Sequence, residues 1–237
     1  MLSIIVPVRN ETDNIQSVFD YFSNNLNNLK YEVLIINDYS DDDTLDKTRK
    51  LVEKYKEFKV FDNPIKGLGG AINLGIENAS GSNVAIMMAD ESDDINDLIE
   101  YNKIMENKNL DAVLGTRFSR KSKVIDYPLQ KLILNRFFNL FVSFIFWNNY
   151  NDYTNAFKIY KKSALIEICP LISESFNIFL EIPLKIISRK YNYKIVPISW
   201  IGRKKGASKF KIKELGSKYL FTLIYCFIEK NLLNKKK

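Results

Sequence analysis

The chain has 237 residues, 46% of them hydrophobic, and a net charge of +7, enough for one large domain or one domain with an extension. There is no histidine, which excludes Ser-His-Asp and Cys-His nucleophilic catalysis and any histidine metal site. Two cysteines, Cys169 and Cys226, make neither a disulfide framework nor a zinc cluster, and suit a reducing compartment.

The charge is unevenly placed. Residues 1–110 hold 11 Lys and Arg against 20 Asp and Glu, whereas residues 111–237 hold 24 against 8. The acidic half suits a metal and helix caps; the basic half suits an anion or an anionic surface. No nucleic-acid motif accompanies the basic half, so no nucleic-acid partner is expected. The N-terminus runs straight into a strand, with no signal peptide in view.

In chain order, Leu2 to Val8 is a β-rich run ending in Pro7-Val8-Arg9-Asn10-Glu11. Helical spacing of Ile15, Val18, Phe19 and Phe22 predicts a helix from about Asp13 to Leu26. Tyr31 to Ile36 reads as a second strand, stopping at Asn37-Asp38. A polar turn, Ser40 to Thr44, caps a helix to about Tyr55. Phe58 to Phe61 is a third strand, and Gly67-Leu68-Gly69-Gly70 opens a helix to about Asn78. These glycines do not give GxGxxG and follow the third strand, so close helix–strand packing is their expected role.

Asn83 to Met88 is the fourth strand. It ends abruptly in Ala89-Asp90-Glu91-Ser92-Asp93-Asp94, before a helix from Asp97 to Asn107. A buried parallel strand that stops at a carboxylate delivers it to the crevice where open α/β sheets bind ligands. Asp90 comes first after the strand, too early to be only a cap; Asp93 and Asp94 read equally well as caps. Asp111 to Gly115 is the fifth strand. Strands alternating with helices predict a mostly parallel sheet with helices on both faces.

After Pro128 the character changes. Leu129 to Trp147 is apolar and aromatic, interrupted by Asn135, Arg136 and Asn139. Its uninterrupted part is too short to span a bilayer of about 30 Å. It reads as a core helix or, preferably, a helix lying on a membrane, since aromatic and basic residues flank it. Asn151 to Lys158 is a turn and short strand, Phe176 to Arg189 a helix, and Tyr193 to Trp200 a β-rich run. Ile201 to Lys209 is a basic loop, and a last apolar helix, Ile212 to Leu233, leads to a Lys235-Lys236-Lys237 tail suited to an anionic membrane surface.

Asp38 and Asp90 follow adjacent strands, so their tips can converge. A hard divalent cation takes one or two carboxylates plus substrate phosphates, and Arg117, Arg203 and Lys209 are candidates to hold the same phosphates or a second anion. That arrangement suits group transfer from a nucleoside diphosphate.

The pattern resembles the family 2 glycosyltransferases with the GT-A fold, in the dolichol-phosphate mannosyltransferase-like branch. The matching segments are Ile4 to Glu11, Val33 to Thr44, Met88-Ala89-Asp90, Gly115 to Phe118, Asp152 to Lys158 and Arg203 to Lys209. The resemblance implies an α/β, Rossmann-like nucleotide-diphospho-sugar transferase domain over residues 1–213, including the interfacial helix at about 129–147. Residues 214–237 would form a C-terminal amphipathic helix and basic tail. It places Pro7, Arg9 and Glu11 on the nucleoside, with Arg9 in place of the usual Tyr, and Asp38 on the base or ribose. Met88, Ala89 and Asp90 fall at the family's metal-binding Asp-x-Asp, with Met88 where the first acid is expected and Ser92 where a Gln often helps the metal. The expected ligand set for Mg2+ or Mn2+ is therefore Asp90 with Glu91, Ser92 or water, because a thioether suits magnesium poorly. Arg117, Arg203 and Lys209 fall at phosphate-holding positions, with Asp90, Arg117 and Arg203 as the catalytic set. Arg136, Asp152 and Ser208 are the expected support for an acceptor phosphate.

The implied reaction is inverting transfer of a hexose, mannose or glucose, from GDP-mannose or UDP-glucose to a polyprenyl or dolichyl phosphate. Such an acceptor is already ionised and needs no base, which suits a chain without histidine. A hydroxyl acceptor would need a base, with Asp152 or Glu181 as candidates. The expected location is the cytoplasmic face of a membrane, peripheral or interfacial, as a short form without the family's added membrane domains. Two alternatives are a family 2 enzyme with a soluble or glycan acceptor, and a non-catalytic nucleotide-sugar-binding subunit.

Overall fold

The computed structural model describes residues 1–202 and 212–232. The first half alternates strand and helix: β1 (Leu2–Val8), α1 (Ile15–Asn25), β2 (Tyr31–Asn37), α2 (Thr44–Val52), β3 (Phe58–Asp62), α3 (Leu68–Asn78), β4 (Asn83–Ile86), α4 (Ile95–Lys108) and β5 (Ala112–Thr116). The second half adds β6 (Lys123–Ile125), α5 (Leu129–Phe146), β7 (Lys158–Lys161), α6 (Lys162–Glu167), α7 (Ile178–Ser188), β8 (Tyr193–Pro197), β9 (Ser199–Ile201) and α8 (Ile212–Leu232).

Seven strands form one sheet in the order β3-β2-β1-β4-β7-β5-β8, and β6 pairs with β9 in a small second sheet. Every pairing in the large sheet is parallel except those of β7, which runs antiparallel between β4 and β5. The mostly parallel α/β sheet expected from the alternation is therefore present. β7 departs from the alternation: it enters from the turn that follows α5 and inserts antiparallel between β4 and β5.

Alternation along each strand splits the core in two. Ile5, Leu34, Ile36, Val84 and Ile86 face a core shared with α3, α5, α7 and α8. Ile4, Val6, Val33, Ile35 and Ala85 face the other, shared with α1 and α4. The β1 residues are all buried, which is why that strand reads as continuous apolar sequence.

Three local readings change. The run from Tyr193 to Trp200 is two strands in two sheets, β8 and β9. α4 starts at Ile95, two residues early, because Asp94 caps it by accepting from Asn96 N at 2.8 Å. Gly67 and Gly69 approach the loop at residues 173–174, and Gly70 approaches Ile65 O, rather than a strand. A Cβ on Gly69 would lie 1.8 Å from Ser173 O, and Gly67 has φ +124°. Helix–strand approach belongs to Gly75, whose Cβ would meet Ile5 at 2.5 Å.

α5 is continuous over 18 residues, about 27 Å at 1.5 Å per residue. It is the single helix among the described residues long and apolar enough, by length and composition, to cross a membrane. Of the polar residues that interrupt its apolar run, Asn139 is buried, its side chain taken up by Asn135 O at 2.8 Å, Thr154 Oγ1 at 3.2 Å and Tyr153 N at 2.6 Å. Asn139, Val142 and Phe146 pack inward, while Leu129, Ile133, Phe137, Leu140, Phe141, Phe144 and Trp147 are exposed. α8 lies beside it: Tyr219 packs edge-on against Phe138 and Phe227 against Phe146. Leu220, Phe221, Ile224 and Ile228 of α8 are exposed as well.

Candidate active site

The parallel strands β1, β2, β4 and β5 end at the same edge of the sheet. β1 continues one way to β2 and the other way to β4, so the strand order reverses beside it, and such reversals open a crevice at the strand ends. β1 pairs with β2 through Val8, but with β4 only through Ile5. Pro7 thus sits where one side of β1 has lost its partner strand, a place that tolerates the missing N–H.

On one side of the crevice, β2 delivers Asp38. Its N–H extends the ladder to Val8 O at 2.8 Å, and its Oδ1 accepts from Gly67 N at 2.7 Å and Asn63 Nδ2 at 2.9 Å. The loop after β1 is laced to the loop after β2. Asn10 N donates to Ser40 Oγ at 3.1 Å, Glu11 N donates to Thr44 Oγ1 at 2.8 Å, and Glu11 Oε2 accepts from Asn14 Nδ2 at 2.7 Å. Pro7, Arg9, Glu11 and Asp38 are therefore brought together, along two adjacent strand ends.

In the middle, the chain after β4 carries Met88 and Asp90 half-buried, Ala89 and Ser92 buried, and Glu91 exposed in a left-handed turn at φ 54°. Asp90 Oδ1 accepts from Ser92 N at 3.2 Å. Among the described residues no three Asp, Glu or Cys side chains converge on a metal-binding point. The donor set still fits a hard cation of the kind that takes one or two carboxylates and completes its shell with substrate phosphates and water.

Behind Asp90 lies Asp93, which the sequence marked only as a possible cap. Its side chain is buried, and Oδ1 has no hydrogen-bond partner among the described residues. Burial and the neighbouring Asp90 carboxylate push its pKa up to about 7, against the pull of Arg117 and Lys158. Tyr21 fixes this corner by donating to Asp93 O and accepting from Ile95 N, both at 2.9 Å.

The far side is cationic. Arg117, just past β5, forks onto Asp152: Nε to Oδ2 at 2.9 Å and Nη2 to Oδ1 at 2.6 Å, with Arg117 N also donating to Oδ2 at 2.8 Å. The fully buried Asp152 holds the Arg117 pKa above its usual value. Among the described residues, Nη1 reaches only the Tyr127 hydroxyl, at 3.4 Å. Arg136 of α5 lies 5.8 Å from the Phe118 ring, whose neighbour Arg117 lies 5.4 Å from it. Lys158 is buried nearby, donating to Tyr153 O at 3.1 Å and to Asn155 O, and burial pulls its pKa down to about 7. In the sequence Lys158 stood out only as the last residue of the matching Asp152 to Lys158 segment.

Asp152 and Glu181, the alternative bases, are both spoken for. Asp152 pairs with Arg117; Glu181 is buried against Ile172 N at 2.9 Å, Ser173 N at 2.8 Å and Lys185 Nζ at 2.9 Å. Arg203, Ser208 and Lys209 lie outside the described residues.

A crevice at the β1/β4 reversal, acids just past β2 and β4 and a cationic cluster beyond β5 define a nucleotide-sugar transferase of the GT-A type. The chain belongs to glycosyl transferase family 2, whose family model matches residues 3–169. It is 26% identical over 219 residues to a dolichol-phosphate mannosyltransferase of Pyrococcus furiosus, covering 90% of this chain and 60% of that protein. A polyprenol monophosphomannose synthase of Mycolicibacterium smegmatis is 20% identical over 229 residues, covering 90% of this chain and 86% of the relative. In fold, it is similar to a Mycobacterium tuberculosis glucosyl-3-phosphoglycerate synthase solved with Mn2+, UDP-glucose and phosphoglyceric acid. That likeness has a TM-score of 0.70 at 14% identity and covers 96% of this chain and 79% of that one. The chain thus spans about 60% of the length of the Pyrococcus relative.

Proposed function

We propose that this glycosyltransferase moves a hexose, mannose or glucose, from GDP-mannose or UDP-glucose to a polyprenyl phosphate at the cytoplasmic face of a membrane. The observation that carries the reading is the physical link between the cationic cluster and the exposed apolar helix. Tyr127 OH accepts from Arg117 Nη1 and from Asn135 of α5, and Thr154 Oγ1 accepts from Arg117 Nη2 at 3.4 Å and from Asn139 of α5 at 3.2 Å. An apolar surface for lipid and a site for its phosphate are thus one unit.

Pro7, Arg9, Glu11 and Asp38 hold the nucleoside, and Met88 and Ala89 floor the diphosphate. Asp90, with Ser92 and Glu91 beside it, would hold Mg2+ or Mn2+, which supplies positive charge against the leaving diphosphate. Arg117, kept in one orientation by Asp152, presents Nη1 to the acceptor phosphate, with Arg136, Arg203, Ser208 and Lys209 as further partners. The acceptor oxygen is ionised on arrival, so displacement with inversion at the sugar carbon proceeds without a side-chain base. The relatives act, by name, on dolichol and polyprenol phosphates, which supports this acceptor class.

The test compares polyprenyl phosphate with the matching polyprenol under one donor. Transfer to the phosphate and none to the alcohol is expected. Equal transfer to both would require a base and would overturn the mechanism.

A further inference from the structure

Tyr39 directly follows Asp38 and has φ 55°. That left-handed backbone suits Gly, Asn or Asp and is uncommon and uphill for a tyrosine. The packing of the core does not repay it, because the side chain is 46% exposed and belongs to neither core. The ring is nevertheless pinned. Its hydroxyl donates to Pro64 O at 3.1 Å, and Lys66 Nζ stands 5.8 Å from the ring centroid. Pro64 and Lys66 belong to the turn whose Asn63 and Gly67 grip Asp38. Across the three loops that meet here, residues 7–13, 37–44 and 63–70, Tyr39 is the one aromatic residue.

We propose that Tyr39 is the stacking platform for the nucleobase of the donor, and that its backbone strain is retained for that purpose. The inference rests on the donor's nucleoside lying at Asp38. A base whose N–H edge reaches the Asp38 carboxylate must offer its flat face to something beside it, and base–aromatic stacking is indifferent to which base it is. Tyr39 is the ring adjacent to that carboxylate. Lys66 on the ring adds a cation next to a nucleotide that carries negative phosphates.

The experiment measures binding of UDP and of GDP, each with Mn2+, to the full chain by calorimetry, alongside thermal unfolding. The variants are Tyr39→Gly, Tyr39→Phe and Asp38→Asn. Tyr39→Gly is expected to bind the preferred nucleotide roughly tenfold more weakly, yet to unfold at a higher temperature, because glycine accepts the left-handed backbone. Tyr39→Phe keeps the ring and is expected to bind about as the parent does. In turnover, Tyr39→Gly should raise the donor KM and leave kcat nearly unchanged. A merely structural tyrosine would instead lower stability when removed, and that result overturns the proposal. Undiminished binding by Tyr39→Gly, with loss in Asp38→Asn, overturns the platform and leaves the donor site at Asp38 standing. No binding of either nucleotide by the parent overturns the donor site and the platform with it.

Discussion

Asp152 shows how much a single residue decides here. Fully buried, it answers the Arg117 fork on both oxygens and also accepts from the Arg117 backbone. Removing one partner of such a pair leaves the other charge buried alone. Asp152→Asn is therefore expected to destabilise the fold by about 3–5 kcal/mol, measured by urea unfolding, and to cost activity because Arg117 loses its orientation. Asp93 makes the opposite prediction. Its folded pKa, about 7, lies above the ordinary aspartate value. The folded state therefore holds a proton that the unfolded state has lost, and stability falls as pH rises from about 4 to 7. Asp93→Asn should flatten that fall, which unfolding midpoints at pH 5 and pH 7.5 would show. An unchanged slope would remove Asp93 as its source. Neither pairing was legible in the sequence. Arg117 and Asp152 are 35 positions apart, and nothing in the acidic run distinguishes Asp93, turned inward, from Asp94, which caps α4.

At the scale of elements, periodicity revealed the strands and helices of the first half, because burial on both faces makes parallel strands continuous apolar runs. It also put Asp38 and Asp90 past strand ends on one edge of the sheet, but not on adjacent strands as expected, because β1 lies between β2 and β4. What periodicity missed depends on partners distant in sequence. β7 inserts antiparallel between β4 and β5, and Asn139 on α5 finds its partners in Thr154 and Tyr153. The apolar face left on α5 is the element's own prediction. Phe137 and Phe144 are 73% and 72% exposed, so Phe137→Glu and Phe144→Glu should change stability by no more than about 0.5 kcal/mol. Their co-flotation with vesicles of anionic lipid should be largely lost. A double variant that still floats with vesicles would show that this face does not meet lipid.

For the whole molecule, Asp38 and Asp90 from the acidic half and Arg117 from the basic half follow strands that end at one edge of the sheet. Acids follow β2 and β4, and the Arg117 cluster is hydrogen-bonded through Tyr127 and Thr154 to α5, whose apolar face is exposed. Lipid-phosphate transfer is the reaction we propose for this arrangement, and it is tested most directly by following a labelled sugar. The protein would be incubated with radiolabelled GDP-mannose or UDP-glucose and vesicles containing polyprenyl phosphate, with and without Mg2+ or Mn2+, and extracted with organic solvent. Label is expected in the organic phase with one of the two donors, and only when both polyprenyl phosphate and the cation are present. A donor that binds but labels no lipid, or labels only water-soluble products, would contradict transfer to a lipid phosphate.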